Sequence, residues 1–149
     1  MVTRRVGYGL IACLFSACGV TSAGVTTAQG SWAGDVELQR IDCATRMPIV
    51  SSPPDPATVI VAIAPTGEAV FQYTLADGLM TRLTCNVLLS QSGGTVSLAT
   101  PAFCADANAD YVSGTGVEAG GTFVLDLQTE TMATDGLRCR RFRHTLRRR

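Results

Sequence analysis

Polar and apolar residues alternate along most of this chain, most regularly between Leu79 and Ala99. There Leu79, Leu83, Cys85, Val87 and Leu89 share one side of an extended backbone, and Met80, Arg82, Thr84, Asn86 and Ser90 share the other. A period of two belongs to a strand with one buried face. Ser92, Gly93 and Gly94 follow, and glycine takes the positive φ of a tight hairpin turn without steric cost. The stretch predicts a β-hairpin, and the same grammar extends to both sides of it. Trp32, Val36 and Leu38 alternate with Asp35, Glu37 and Gln39 in a first strand. Residues 42–56 carry four prolines and read as a long loop, because proline cannot donate to a ladder. Thr58 to Ala64 is a continuous, largely β-branched run, which predicts a strand covered on both faces or central in its sheet. Pro65, Thr66 and Gly67 turn it into a strand that sets Val70, Gln72 and Thr74 against Phe71, Tyr73 and Leu75; Asp77-Gly78 then leads to the hairpin.

Beyond Ala99, residues 100–110 read as a loop and Tyr111 to Val117 as a weak strand broken by glycine. Phe123, Leu125 and Leu127 alternate with Asp126, Gln128 and Glu130 in a clear strand, and Asp135-Gly136 turns into a last one from Leu137 to Leu146. In that strand Cys139 has the opposite parity from Phe142 and Leu146. A bulge near Arg140-Arg141 would bring all three to one side. No segment sustains a helical period. The pattern predicts a single all-β domain of about eight antiparallel strands, closed as an up-and-down barrel or left partly open, with a flattened sandwich as the other arrangement. Closure would set the first strand beside the last and remove aggregation-prone edges.

Charge and cysteine place this domain in a compartment. The chain of 149 residues has zero formal charge, yet all twelve acids lie between Trp32 and Leu137 and seven arginines crowd Arg138 to Arg149. Arg4 and Arg5 followed by the apolar Val6 to Ala17 have the layout of an export signal over residues 1–18, too short to span a bilayer as an ordinary helix. Phe15-Ser16-Ala17-Cys18 resembles a bacterial lipobox, which implies cleavage before Cys18 and its acylation. Leu10-Ile11-Ala12-Cys13 fits the lipobox letters better, with an aliphatic residue three before the cysteine, but leaves only a short apolar core, and ordinary cleavage near Ala23 or Ala28 is the alternative. Residues 19–30 would then be a spacer, 31–146 the barrel and 147–149 a basic tail. Four domain cysteines remain, Cys43, Cys85, Cys104 and Cys139, and an even set in a small exported domain reads as two disulfides. Of the three connectivities, barrel closure favours Cys43 with Cys139 and Cys85 with Cys104.

Gly30-Ser31-Trp32 at the start of the first strand resembles the GxW signature of lipocalins, and Ala109-Asp110-Tyr111 is similar to their second motif. The resemblance implies a barrel whose floor is sealed by a cation over Trp32, with Arg138 or Arg140 as the arginine, and an interior that holds a small apolar ligand.

Chemistry finds less material. His144 is the only histidine, and among arginines near the chain end it reads as a surface or rim residue rather than a general base. No GxSxG, HExxH or phosphate loop occurs, and the bridged cysteines leave no thiol nucleophile. The cysteine spacing does not suit zinc. Asp106, Asn108 and Asp110 have the opening spacing of a calcium loop, but Tyr111 stands where its turn needs glycine. The expectation is a non-enzyme without metal or cofactor. Arg141, Arg143, Arg147, Arg148 and Arg149 are the candidates for binding a polyanion, with nucleic acid disfavoured because few aromatics interleave with them. Two functions follow: an exported barrel, membrane-tethered through Cys18, that binds a small apolar ligand or a protein partner; or an envelope protein that binds polyanions through its basic last strand.

Overall fold

The computed structural model describes residues 27–51, 54–76, 81–99 and 102–149, so the expected export signal with Cys18 and the expected Asp77-Gly78 turn lie outside the described residues. Nine strands carry the fold: β1 (Gly30–Ile41), β2 (Asp55–Ile63), β3 (Glu68–Leu75), β4 (Arg82–Ser92), β5 (Thr95–Leu98), β6 (Ala102–Cys104), β7 (Ala109–Ala119), β8 (Thr122–Ala133) and β9 (Gly136–Arg148). They form one antiparallel sheet in the order β5-β4-β3-β2-β1-β9-β8-β7-β6, and a β5–β7 pairing closes it into an eight-stranded barrel with one extra strand. The first strand lies beside the last, Trp32 opposite Arg148 and Ile41 opposite Cys139.

The ninth strand lies in the stretch read as a loop. Thr95 pairs with Val117 and Ser97 with Thr115, while Ala102 pairs with Tyr111 and Cys104 with Ala109. β5 and β6 are thus two pieces of one interrupted strand laid along β7. A register shift in β7 between Tyr111 and Ser113 falls where the pieces meet. Alternation cannot reveal a three-residue strand. Besides its ladder with β7 it is held by the Cys85–Cys104 disulfide and, just after it, by Asp106, whose Oδ2 accepts the Thr84 N–H at 2.8 Å. These two contacts join β4 to β6 where no hydrogen-bonded ladder does.

The glycines that make β7 look weak are needed by its neighbours. A Cβ on Gly114 would collide with Leu127 and Leu98, and one on Gly116 with Phe123, Leu125 and the Val124 carbonyl. Large side chains of β8 and β5 fill the interior that β7 leaves open. β2 also differs from expectation, because Ala57, Val59, Val61 and Ile63 are buried while Thr58, Ile60 and Ala62 face outward. It is a one-sided barrel strand, not one covered on both faces.

No bulge occurs in β9, whose pairing with β1 and β8 runs unbroken through Arg140 and Arg141. Phe142, His144 and Leu146 point inward, and Cys139 points outward yet is buried. The loop after β1 covers it: Cys43 is bridged to Cys139, and Arg46 donates to Cys139 Sγ at 3.4 Å and pairs with Glu130. A disulfide with its loop therefore buries a residue on the outer wall, which inward packing cannot explain. With sequence separations of 96 and 19, the two bridges contribute on the order of 5 and 3 kcal/mol in the chain-entropy account.

The two ends of the barrel sequence also depart from expectation. Ala28, at the end of the expected spacer, is fully buried against the barrel, and Arg147 and Arg148 of the expected tail belong to β9.

At Gly34 the β1 and β9 backbones approach so closely that an added Cβ would overlap the Thr145 carbonyl oxygen and press on Leu146 Cα. Gly34→Ala is expected to lower the unfolding free energy by about 2–3 kcal/mol in urea denaturation, whereas Gly94→Ala, with open space around it, serves as the near-neutral comparison.

Candidate functional site

The barrel has a floor, a filled middle and a shallow mouth. At the floor Trp32 is fully buried, its Nε1–H donating to the Ala28 carbonyl at 2.7 Å. Arg148 lies over its ring, with the guanidinium carbon 4.7 Å from the centroid, a cation–π contact. The same guanidinium donates to the carbonyls of Thr27 at 2.9 Å and Gln29 at 3.3 Å. Gln91 fastens the segment from the other side, donating to Thr27 Oγ1 at 2.6 Å and accepting from the Thr27 N–H at 3.2 Å. The cation is therefore Arg148, not Arg138 or Arg140. Register explains the choice: Trp32 pairs with Arg148, whereas Arg138 and Arg140 lie at the opposite end of β9. Arg138 is bound to Asp135 at 2.7 Å.

His144 occupies the middle of the barrel, not its rim. It is fully buried, beside Phe71, Tyr73 and Phe142. Its Nδ1 lies 2.9 Å from the Leu125 carbonyl and its Nε2 lies 2.9 Å from the Tyr73 hydroxyl. A carbonyl only accepts, so Nδ1 carries the proton and Nε2 accepts from Tyr73. Tyr111 continues the chain, its hydroxyl 3.5 Å from that of Tyr73. Burial lowers the His144 pKa to about 4, against a smaller opposing effect of the Leu125 carbonyl. Burial also raises Tyr73 well above its ordinary value and raises Tyr111. The three groups form a buried hydrogen-bonded network across the middle of the barrel.

Beside this network a cavity of only ≈ 40 Å³ remains, lined by Tyr73, Tyr111, Phe142 and Thr129 among others. It shares Leu38, Leu75 and Arg140 with a cup of ≈ 250 Å³ that Asp55 and Pro56 also wall. Pockets for drug-sized ligands run from about 300 to 1,000 Å³, so the interior itself has no room for one.

Outside, the barrel has two unlike walls. On β9 Arg141 makes a forked pair with Asp126 of β8, at 3.0 and 2.9 Å, and Arg143 stands in register between Glu37 and Asp126. Arg147 shares that outer face, while Arg148 is spent on the floor and Arg149 donates its backbone N–H to Ser31. The basic strand is thus interleaved with acids. The wall of β2, β3 and β4 instead presents Ile60, Ala62, Val70, Gln72, Asn86 and Leu88, with Glu68 at one end and Arg82 at the other. A groove of ≈ 690 Å³ runs along it beside Leu88, Val70, Ala99 and Ala102, where β4 parts from the interrupted strand. Neither this wall nor Arg148 was signalled in the sequence except by the outward parity of Ile60 and Leu88.

Among the described residues no three histidine, cysteine or acidic side chains converge as metal ligands would. Asp106 and Asn108 shape the turn before β7, with Asn108 at φ 46° and Asp106 on the Thr84 amide, while Asp110 is already within β7. The fold and its contents define a closed, disulfide-braced all-β barrel with a filled interior. No family model matches the chain, and no curated protein matches it either.

The buried imidazole gives a pH dependence of known sign. Above about pH 6.5 both folded and unfolded His144 are neutral; below it the unfolded chain takes up a proton that folded His144 refuses until about pH 4. Stability should fall by about 3 kcal/mol across that window from this group alone. Urea unfolding between pH 7 and 4 is expected to show a shallower loss in His144→Phe than in the wild type.

Proposed function

We propose that the chain is an exported, non-catalytic binding module that engages a protein partner at the cell envelope through the charge-poor outer wall of β2–β3–β4. One observation carries the reading. The interior is filled by Trp32, Phe71, Tyr73, Tyr111, Phe123 and His144, so binding falls to the outside. Exposed apolar surface rimmed by polar residues and free of like charge is the kind of patch that partners cover. The signal-like layout of residues 1–18, with Cys18 as the proposed lipid anchor, supports an envelope location, and the two disulfides favour an oxidising compartment.

A small-ligand reading has support in the cup at the mouth, where Leu38, Pro56 and Leu75 would hold the end of an apolar chain. A lipocalin-like affinity is supported by ring closure, the floor tryptophan and the cation over it; the packed interior weighs against the ligand-holding role of that family. The basic face of β9 is weaker support for a polyanion, since Arg141 is paired and Arg143 lies between acids.

Photoreactive side chains at Val70 or Leu88 are expected to give a discrete adduct in the native envelope, while the same group at Thr145 on the opposite wall gives none. Equal labelling from both walls, or a small molecule retained stoichiometrically by the purified protein in native mass spectrometry, would count against this reading.

A further inference from the structure

At the open end of the barrel the β1–β9 register sets Arg40 directly opposite Arg140, with Arg138 two residues away on the same strand. All three line one groove of ≈ 220 Å³, together with Ile49, Leu137 and Asp42. Like charges opposite one another on neighbouring strands repel. Among the described residues neither Arg40 nor Arg140 has an ion-pair partner within 4.0 Å, whereas Arg46, Arg138 and Arg141 each have one. The nearby acids are largely occupied. Asp42 accepts from the Ala44 and Thr45 amides and the Thr45 hydroxyl, which hold its carboxyl below the usual range. Asp135 is bound to Arg138, and Asp55 lies on the cup side of Arg140. The rim therefore sets two arginines at one register position, neither with an ion pair of its own among the described residues, and only Arg40 feels a nearby carboxylate, that of Asp135.

We propose that this groove, formed by Arg40, Arg138 and Arg140, is a binding site for a phosphate-bearing ligand. A planar carboxylate is satisfied by one guanidinium fork, but a tetrahedral phosphate has free oxygens enough for two forks at once. Arg40 and Arg140, on adjacent strands, supply those forks, and Arg138 adds a third when its bond to Asp135 yields. Ile49 and Leu137 flank the groove and leave an apolar bed for whatever the phosphate is attached to. The site is separate from the charge-poor wall, so it stands or falls independently of the partner proposed there.

The test uses the intact protein and two probes, sodium tripolyphosphate in solution and phosphatidylcholine vesicles with or without phosphatidic acid. Arg40→Gln/Arg140→Gln removes the facing pair, and Arg143→Gln/Arg147→Gln removes the same charge from the outer wall. The expected result is saturable binding of at least one probe by the wild type, retained by the outer-wall variant and weakened about tenfold or more in the rim variant. The unliganded rim variant should melt no lower than the wild type at low salt, because its removal relieves repulsion. Loss in the rim variant for tripolyphosphate identifies a soluble phosphate as the source, and loss only for vesicles identifies a lipid headgroup. Arg140→Lys, which keeps the charge and loses the fork, should bind at an intermediate level and guards against a folding defect. Equal weakening in both double variants, or no binding of either probe by the wild type, would overturn the site.

Discussion

An eight-stranded ring encloses a space only wide enough for side chains to meet across it, so the size of each inward residue decides whether the barrel is a container or a solid. In this chain the inward positions of β1, β3, β8 and β9 carry Trp32, Phe71, Tyr73, Phe123, Phe142 and His144. Such a set would overfill the ring if every strand contributed bulk. β7 resolves the conflict by placing Gly114 and Gly116 where Leu127 and Phe123 need room. Gly34 does the same for the backbone approach of β1 and β9. Size is traded between neighbouring strands, and the ring closes around a packed centre.

A solid centre still contains polar groups, and each has a partner. No buried side-chain nitrogen or oxygen among the described residues lacks one. His144, Tyr73 and Tyr111 satisfy one another and the Leu125 carbonyl, which explains why the only histidine is inside a barrel rather than on its surface. The network fixes which strand faces meet, because a slip of one residue in β9 would turn His144 outward and leave the Tyr73 hydroxyl buried alone.

Much of the architecture was legible from period and turn chemistry. The β4–β5 hairpin, ring closure and both disulfide pairings follow from alternation that runs nearly to the chain end. The misreadings share a cause: each concerns a residue whose environment is made by a neighbour distant in sequence. Cys139 is buried on the outer wall by the Cys43 loop, so its parity suggests a bulge where none exists. Arg148 reaches Trp32 through register, and Arg138 and Arg140 end at the far rim for the same reason. β6 is held by a bridge and a carboxylate, which leave no periodic trace. His144 looked like a rim residue because its sequence neighbours are arginines, but alternate residues of a strand face opposite ways. The outer walls were least legible, since their character depends on which strands lie side by side.

The proposed reading places binding on the outer surface and the rim because the interior is packed, and the single tryptophan reports on that packing directly. Trp32 is fully buried beneath Ala28 and Arg148 and packs on Phe123. Titration of the native protein with brominated fatty acids, which quench indole only at contact, should leave Trp32 fluorescence unchanged. Saturable quenching at one equivalent would mean that an acyl chain enters the barrel, and would contradict the account.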